Sequence, residues 1–214
     1  MRRAGGCIAT RAGLAAARRE GGIWTLDTPS GAYRATLLVN AAGAWADAVA
    51  VRAGARPIGI QPYRRTIAQI RTDPPAPGTL PHVADISGCF YFKPEPGGRL
   101  WLSPHDETPV DPCDAAPEEL DVAIAIDRFE RVVDWNVAAV ERSWAGLRSF
   151  APDRLPVYGF DPVVPGLFWC AGQGGFGIQT APAGAALAAS LLLGTSLPAG
   201  FERVDPARYA PDRF

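Results

Sequence analysis

The residues best equipped for chemistry stand in Gly172–Gly177, where four glycines fall in six positions. An apolar, aromatic-rich run, Leu167–Ala171, precedes them and reads as a buried strand. After Thr180, the Ala- and Leu-rich run Ala181–Leu193 reads as a helix, with Thr180 available as its cap. A glycine loop entering a helix lets bare backbone N–H groups approach a negative ligand, and the helix dipole adds positive charge there. Gly172, Gly174 and Gly177 even spell GxGxxG. That fingerprint requires a following βαβ unit and an acidic residue about 20 positions on. Here Gly194, Pro198 and a polar tail follow the helix instead. The segment therefore reads as an anion site that closes a fold.

Arginine is the other resource. Lys93 is the only lysine, so Arg supplies nearly all the positive charge. Arg64 and Arg65 are adjacent in an alternating strand after Pro62, so one points to each face and one of them aims inward or at a cleft. Four scattered cysteines, without a CxxC pair, and two histidines make a metal site an unsuitable reading. Cys170, within the apolar strand, reads as a small buried hydrophobe rather than a nucleophile. The chain has 214 residues and a net charge of −1, which argues against nucleic acid as a partner. No apolar run reaches the roughly 18 residues a membrane span needs. A reducing cytoplasm is the default expectation, with attachment to a membrane surface left open.

These groups must be carried by a mixed α/β fold. Ile8–Thr10, Leu14–Ala17 and Ile23–Leu26 read as short strands of a β-meander, followed by a turn at Thr28–Gly31. Thr36–Ala42 reads as a continuous apolar strand, and Ala44–Ala53 as a helix. The small residues Ala42 and Gly43 at that junction permit close backbone approach to something bulky. Gly88–Lys93 and Arg99–Ser103 read as a hairpin about Glu95–Gly98. Pro117 opens a helix with Leu120, Ile124 and Val132 among its apolar positions. Val137–Trp144 reads as a strand delivering Gly146-Leu147-Arg148.

Four stretches carry a resemblance. WAGLRSFAPDRLPVYGF (144–160) and GLFWCAGQGGFGIQTAPAG (166–184), with LLVNAAGAWADAVA (37–50) and YFKPEPGG (91–98), resemble the C-terminal half of the FAD-dependent D-amino-acid oxidase (DAO) superfamily. Within it the likeness is to D-amino-acid dehydrogenases of the D-arginine dehydrogenase type. The resemblance implies a partial FAD-binding domain over 1–55 and 150–214. A substrate domain with a mainly antiparallel sheet is implied over 56–149. The implied reaction is oxidation of the CH–NH2 group of an amino acid, a hydride passing from Cα to flavin N5 and an imino acid forming. Quinone or O2 would be the electron acceptor.

The resemblance also implies a site, with no separate catalytic acid or base. The substrate carboxylate would be clamped by Arg148 and Tyr91, with Arg65 as a second arginine and Gly175 near the amine. Arg suits this role because its planar fork pairs both carboxylate oxygens. Gln173, Gly174, Gly175, Phe176, Gly177, Ile178 and Gln179 would lie under the flavin pyrimidine; Gln179 is either a substrate contact or a flavin-edge donor. Ala42 and Gly43 would line the nucleotide sheet. Leu14 either meets the adenine or is plain core. Ser149 and Phe150 stand where covalently flavinylated members carry a cysteine, so FAD is expected to bind noncovalently. Asp153 reads as an ordinary turn residue.

The family opens with a true GxGxxG and a ribose-binding acidic residue, and neither occurs here. The chain is therefore expected to be a C-terminal portion. It would act as part of an amine dehydrogenase completed by another segment or chain, or else be a catalytically inactive fragment. Either way an exposed apolar face is expected, and with it association.

Overall fold

A computed structural model describes Arg3 and residues 5–214. In chain order the elements are β1 (Ala16–Glu20), β2 (Ile23–Thr28), β3 (Gly31–Ala35), β4 (Leu38–Asn40), α1 (Ala46–Arg52), β5 (Gln61–Asp73), β6 (Val83–Ala84), β7 (Tyr91–Glu95), β8 (Arg99–Ser103), β9 (Thr108–Pro109), α2 (Glu119–Glu130), β10 (Asn136–Phe150), β11 (Val157–Phe160), β12 (Leu167–Ala171) and α3 (Gly177–Leu193). They form two compact units, Met1–Gln61 with Ser149–Phe214, and Pro62–Arg148. No helix among the described residues is long and apolar enough to cross a membrane.

In the first unit, β1, β2 and β3 make an antiparallel meander. It begins at Ala16; Ile8–Thr10 and Leu14, expected as strands, lie outside it. The second sheet joins distant parts of the chain. There β4 runs parallel to β12, with Leu38 opposite Leu167 and Asn40 opposite Trp169, and β11 pairs antiparallel to β12. Both are apolar runs leading towards helices, as expected of parallel strands, although β4 spans only Leu38–Asn40. The core gathers Trp24, Leu38, Ala46, Ala50, Leu167 and Trp169. Asn40 is fully buried among them and satisfied, since its Nδ2 donates to Ala46 O at 2.8 Å. Helix α3 starts at Gly177 rather than after Thr180, and the Thr180 hydroxyl donates back to Phe176 O at 2.9 Å. Thr180 is thus a residue of the first turn and not the cap. The chain winds four residues earlier than expected, and Gly194 in the left-handed conformation ends the helix.

The second unit is a six-stranded sheet in the order β10-β5-β8-β7-β6, with β9 also on β5. Pairing of β5 with β8 and β8 with β7 is antiparallel, and Ala68, Leu102 and Phe92 are in register. These residues face α2, where they pack on Ala125 and Phe129. The covering face of α2 is therefore Val122, Ala125, Ile126 and Phe129, spaced i, i+3, i+4, i+7. Leu120, expected on that face, is 67% exposed, and Val132, expected in the same helix, lies beyond its end and is 60% exposed. Strand β10 runs on past Trp144 to Phe150, so Arg148 lies within the sheet rather than after it.

Candidate functional site

Alternation along strands places three of the expected site residues on one face of the second unit's sheet. Tyr91 is one residue before Phe92 and Arg65 three before Ala68, so both point away from α2. On β10, Trp144 meets Trp101 edge to face at 5.2 Å. Trp101 is one residue from Leu102 and so belongs to the same outer face. Arg148, four positions after Trp144, emerges there too. Arg64 takes the α2 side, where it pairs with Glu118 and, at 2.8 Å, with Asp121.

Arg65 is 5% exposed. Its Nε donates to Asp106 O at 2.7 Å and its Nη2 to Glu107 Oε1 at 3.3 Å. Its Nη1 is buried without a hydrogen-bond partner. Burial pushes the Arg65 guanidinium below its ordinary range, and the neighbouring Arg148 charge pushes it further. Tyr91 and Asp106 oppose the shift. Tyr91 favours the charged form both by charge and by side-chain hydrogen bonding. Two buried or half-buried positive charges side by side, one with an orphaned N–H, are costly alone and suited to an anion.

Tyr91 is held between the chain's two histidines. His82 stacks on it at 5.2 Å and His105 meets it edge-on at 5.5 Å. His105, Asp106 and Glu107 were not singled out in the sequence, where SPHDET looks like an ordinary turn after a strand. The available signal was register: extending the ladder from Ala68 opposite Leu102 brings His105 across from Arg65.

The other expected site residues lie in the first unit. Gly174 has φ +57°, and a Cβ there would overlap the Phe150 ring. Gln173 bridges to Phe150, and its Nε2 donates to Cys170 Sγ at 3.7 Å. Burial pushes the Cys170 thiol up, which makes it an inert wall. Gly175 is half-buried between Gly174 and Phe176; Phe176 is 64% and Ile178 96% exposed. Gln179 is also exposed. Helix α3 begins at Gly177 with no side-chain cap and no acidic residue in its first turn, so its N–H groups and dipole are available to an anion. Gln173 and Phe176 also border an apolar cavity of about 330 Å³ with Tyr158, Leu187 and Tyr209.

A larger open cavity, about 630 Å³, is walled by Leu14, Leu26, Leu38, Asn40, Ala42 and Val49. Gly43, next to Ala42, has φ +57° and nothing near the position of a Cβ, so it is glycine for its backbone and leaves the rim open. Flat apolar walls of this size fit an aromatic base, and the uncapped α3 start fits the electron-rich edge of a flavin. The residues present therefore suit FAD.

Comparison with known proteins agrees with this chemistry. A family model described as "FAD dependent oxidoreductase" (DAO) matches residues 1–191. Hydrogen cyanide synthase subunit HcnC of Pseudomonas aeruginosa is 29% identical over 196 residues, covering 91% of this chain and 45% of that protein. Glycine oxidase of Geobacillus kaustophilus is 30% identical over 190 residues, covering 88% and 49%. The crystal structure of that glycine oxidase superposes with a TM-score of 0.81 at 27% identity, covering 97% of this chain and 54% of the other. The chain thus spans about half the length of the relatives it matches. The chain belongs to the DAO family of FAD-dependent oxidoreductases, whose fold it shares and whose cofactor is FAD.

Proposed function

We propose that this chain supplies the substrate-carboxylate clamp and part of the FAD site of an enzyme that oxidises the CH–NH2 group of an amino acid. The observation that carries the reading is the buried, unpartnered Nη1 of Arg65 beside Arg148 and Tyr91. A carboxylate satisfies that N–H and relieves the repulsion between the two guanidinium groups. Arg148, Tyr91 and Arg65 bind and orient the carboxylate, which fixes the Cα–H for transfer. Gly175 would leave room for the amine.

FAD, when bound, supplies the two-electron acceptor for the hydride leaving Cα. The segment Gln173–Gln179 and the start of α3 would hold its pyrimidine edge through backbone N–H groups, and the cavity lined by Leu14 and Ala42 would take its adenine. In this reading Met1–Gln61 with Ser149–Phe214 forms part of the FAD domain and Pro62–Arg148 the substrate domain. FAD is held noncovalently, and quinone or O2 reoxidises it.

Glycine or another small amino acid is the substrate class suggested by the glycine oxidase likeness. The 144–160 and 166–184 motifs support D-amino acids of the D-arginine dehydrogenase type. A carboxylate clamp serves both, and stereochemistry separates them. In this reading activity also needs a pyrophosphate loop, supplied from outside the motifs named here, in the same polypeptide or by another chain. A protein joining this chain to the N-terminal half of the Geobacillus glycine oxidase should bind FAD. Its flavin absorbance should bleach anaerobically with glycine or D-amino acids and not with the corresponding amines. Bleaching by amines lacking the carboxylate would overturn the clamp.

A further inference from the structure

Three consecutive residues after β8 each reach a different part of the carboxylate site. Asp106, its side chain 7% exposed, accepts from Thr66 N at 2.8 Å and Thr66 Oγ1 at 2.9 Å. Those two bonds pin its backbone against β5, the strand that carries Arg65. Its carbonyl then accepts from Arg65 Nε at 2.7 Å, while Glu107 takes Nη2. His105, with φ +57°, reverses the chain so that its ring edge meets Tyr91 and its Nδ1–H donates to Gly88 O at 2.6 Å. Arg128 of α2 ties the loop from behind, donating to Pro104 O at 2.9 Å and to Cys89 O.

The pattern of what is held and what is left matters more than the number of bonds. Arg65 is gripped along the Nε/Nη2 edge, and the remaining nitrogen is buried and unpaired. Arg64 Nε and Trp101 Nε1 are likewise buried without a hydrogen-bond partner; what sets Arg65 apart is that its open nitrogen belongs to a guanidinium beside Arg148 and Tyr91. The Asp106 carboxylate stands 3.9 Å from Arg65 Nε and directs its hydrogen bonds to Thr66 instead. A neutral carbonyl thus does the holding at Nε, Glu107 pairs with Nη2 at 3.3 Å, and Nη1 is left over.

We propose that the His105–Asp106–Glu107 turn is the positioning element of the carboxylate site and that Asp106 is the positioning residue that fixes the Arg65 guanidinium so that Nη1 faces the ligand. This rests on the carboxylate reading above. Asp106 does not touch the substrate; it acts through Arg65. A long arginine side chain free to sample rotamers would bind the same anion more weakly because it would have to be ordered first.

The test uses the 214-residue chain with acetate as the probe and two readouts: acetate affinity, and exchange of the Arg65 Nε–H followed by NMR. Asp106→Ala should weaken acetate about tenfold, the effect of releasing one charge-assisted hydrogen bond, and should speed Nε–H exchange. Asp106→Asn, which can still accept from Thr66 N–H, should restore both to within about twofold. Should Asp106→Ala fail to fold, Thr66→Val removes one of the two pinning bonds and should weaken acetate about threefold in the same direction. A folded Asp106→Ala or Thr66→Val with wild-type affinity and an equally protected Nε–H overturns the positioning role. Wild-type chain that ignores acetate, or binds it equally as Arg148→Ala, overturns the carboxylate reading instead. The Nε–H exchange still decides the positioning role in that case, because it needs no ligand.

Discussion

Arg64 and Arg65 are neighbours in β5 with opposite commitments: Arg64 pairs with Glu118 and with Asp121 of α2, whereas Arg65 lies on the other face beside the Arg148 charge. Burial alone would lower the Arg64 pKa, but the two carboxylates together raise it. Burial and Arg148 lower that of Arg65. One arginine is spent on the fold and the other is held for a ligand.

Removing the structural partner should therefore unfold more than it disarms. Arg64→Ala leaves Asp121 half-buried without its neighbouring cation. A loss of about 2–4 kcal/mol is expected from breaking such a pair. Urea denaturation followed by far-UV circular dichroism measures it.

Arg148→Ala should act in the opposite sense, with stability nearly unchanged and carboxylate affinity reduced by about 2 kcal/mol or more. Arg148→Lys should recover only part, because a point charge lacks the planar fork. In an active, completed enzyme the deficit should appear in KM for amino acids, and unchanged kinetics would remove Arg148 from the site.

The glycine loop is sterically closed at one position. Gly174→Ala meets the Phe150 ring and a left-handed backbone at once, so a destabilisation of about 1–3 kcal/mol is expected. Thermal melts of the two proteins compare directly. Equal melting temperatures would mean that the loop does not pack on Phe150.

Asp153, which reads in sequence as an ordinary turn residue, anchors the chain's last residues. Arg213 Nε donates to Asp153 Oδ2 at 2.7 Å, and its Nη2 to Leu155 O at 3.0 Å and Pro156 O at 3.1 Å. The Arg213 hydrogen bond holds the Asp153 carboxyl below its ordinary range. A folded-state pKa below the unfolded one means the stabilisation is complete above the unfolded pKa, about 3.9. It is lost as pH falls through the folded value. Arg213→Ala should abolish this acid-side contribution and expose the tail from Asp205 onwards to limited proteolysis at neutral pH.

Purified alone, the chain should carry no flavin colour and should self-associate. FAD affinity is spread over pyrophosphate, ribose, adenine and isoalloxazine, and the proposed function assigns this chain only the adenine and isoalloxazine contacts. Within the first unit, Val39, Trp45, Phe176, Ile178 and Leu193 are all exposed apolar side chains. Stoichiometric FAD released on denaturation, or a monomer in sedimentation, would contradict one or the other expectation.

What was legible in the sequence was local. The β12–glycine loop–α3 succession follows from composition within a few residues. The rotation of α2 was not legible, because Leu120, Ile124 and Val132 repeat at nearly helical spacing and so do Val122, Ala125, Ile126 and Phe129. Phe129 and the grip of Arg64 on Glu118 and Asp121 decide between the two faces. Neither is visible without knowing which strand lies beneath. Asp106 was missed for the same reason: its partners Thr66 and Arg65 are about 40 positions away. The α3 cap was misassigned because Thr180 can donate within a helix as readily as it can cap one.

Trp24 Nε1 donates to Gly166 O across 142 residues, and β4 waits for β12 to complete its sheet. Pro62–Arg148, by contrast, is continuous in sequence. On the ribosome the inserted segment can close while the discontinuous unit is still missing β11 and β12, so its hairpin β7–β8 should gain amide protection before β4 does. The order of birth of the two units is thereby the reverse of their order along the chain.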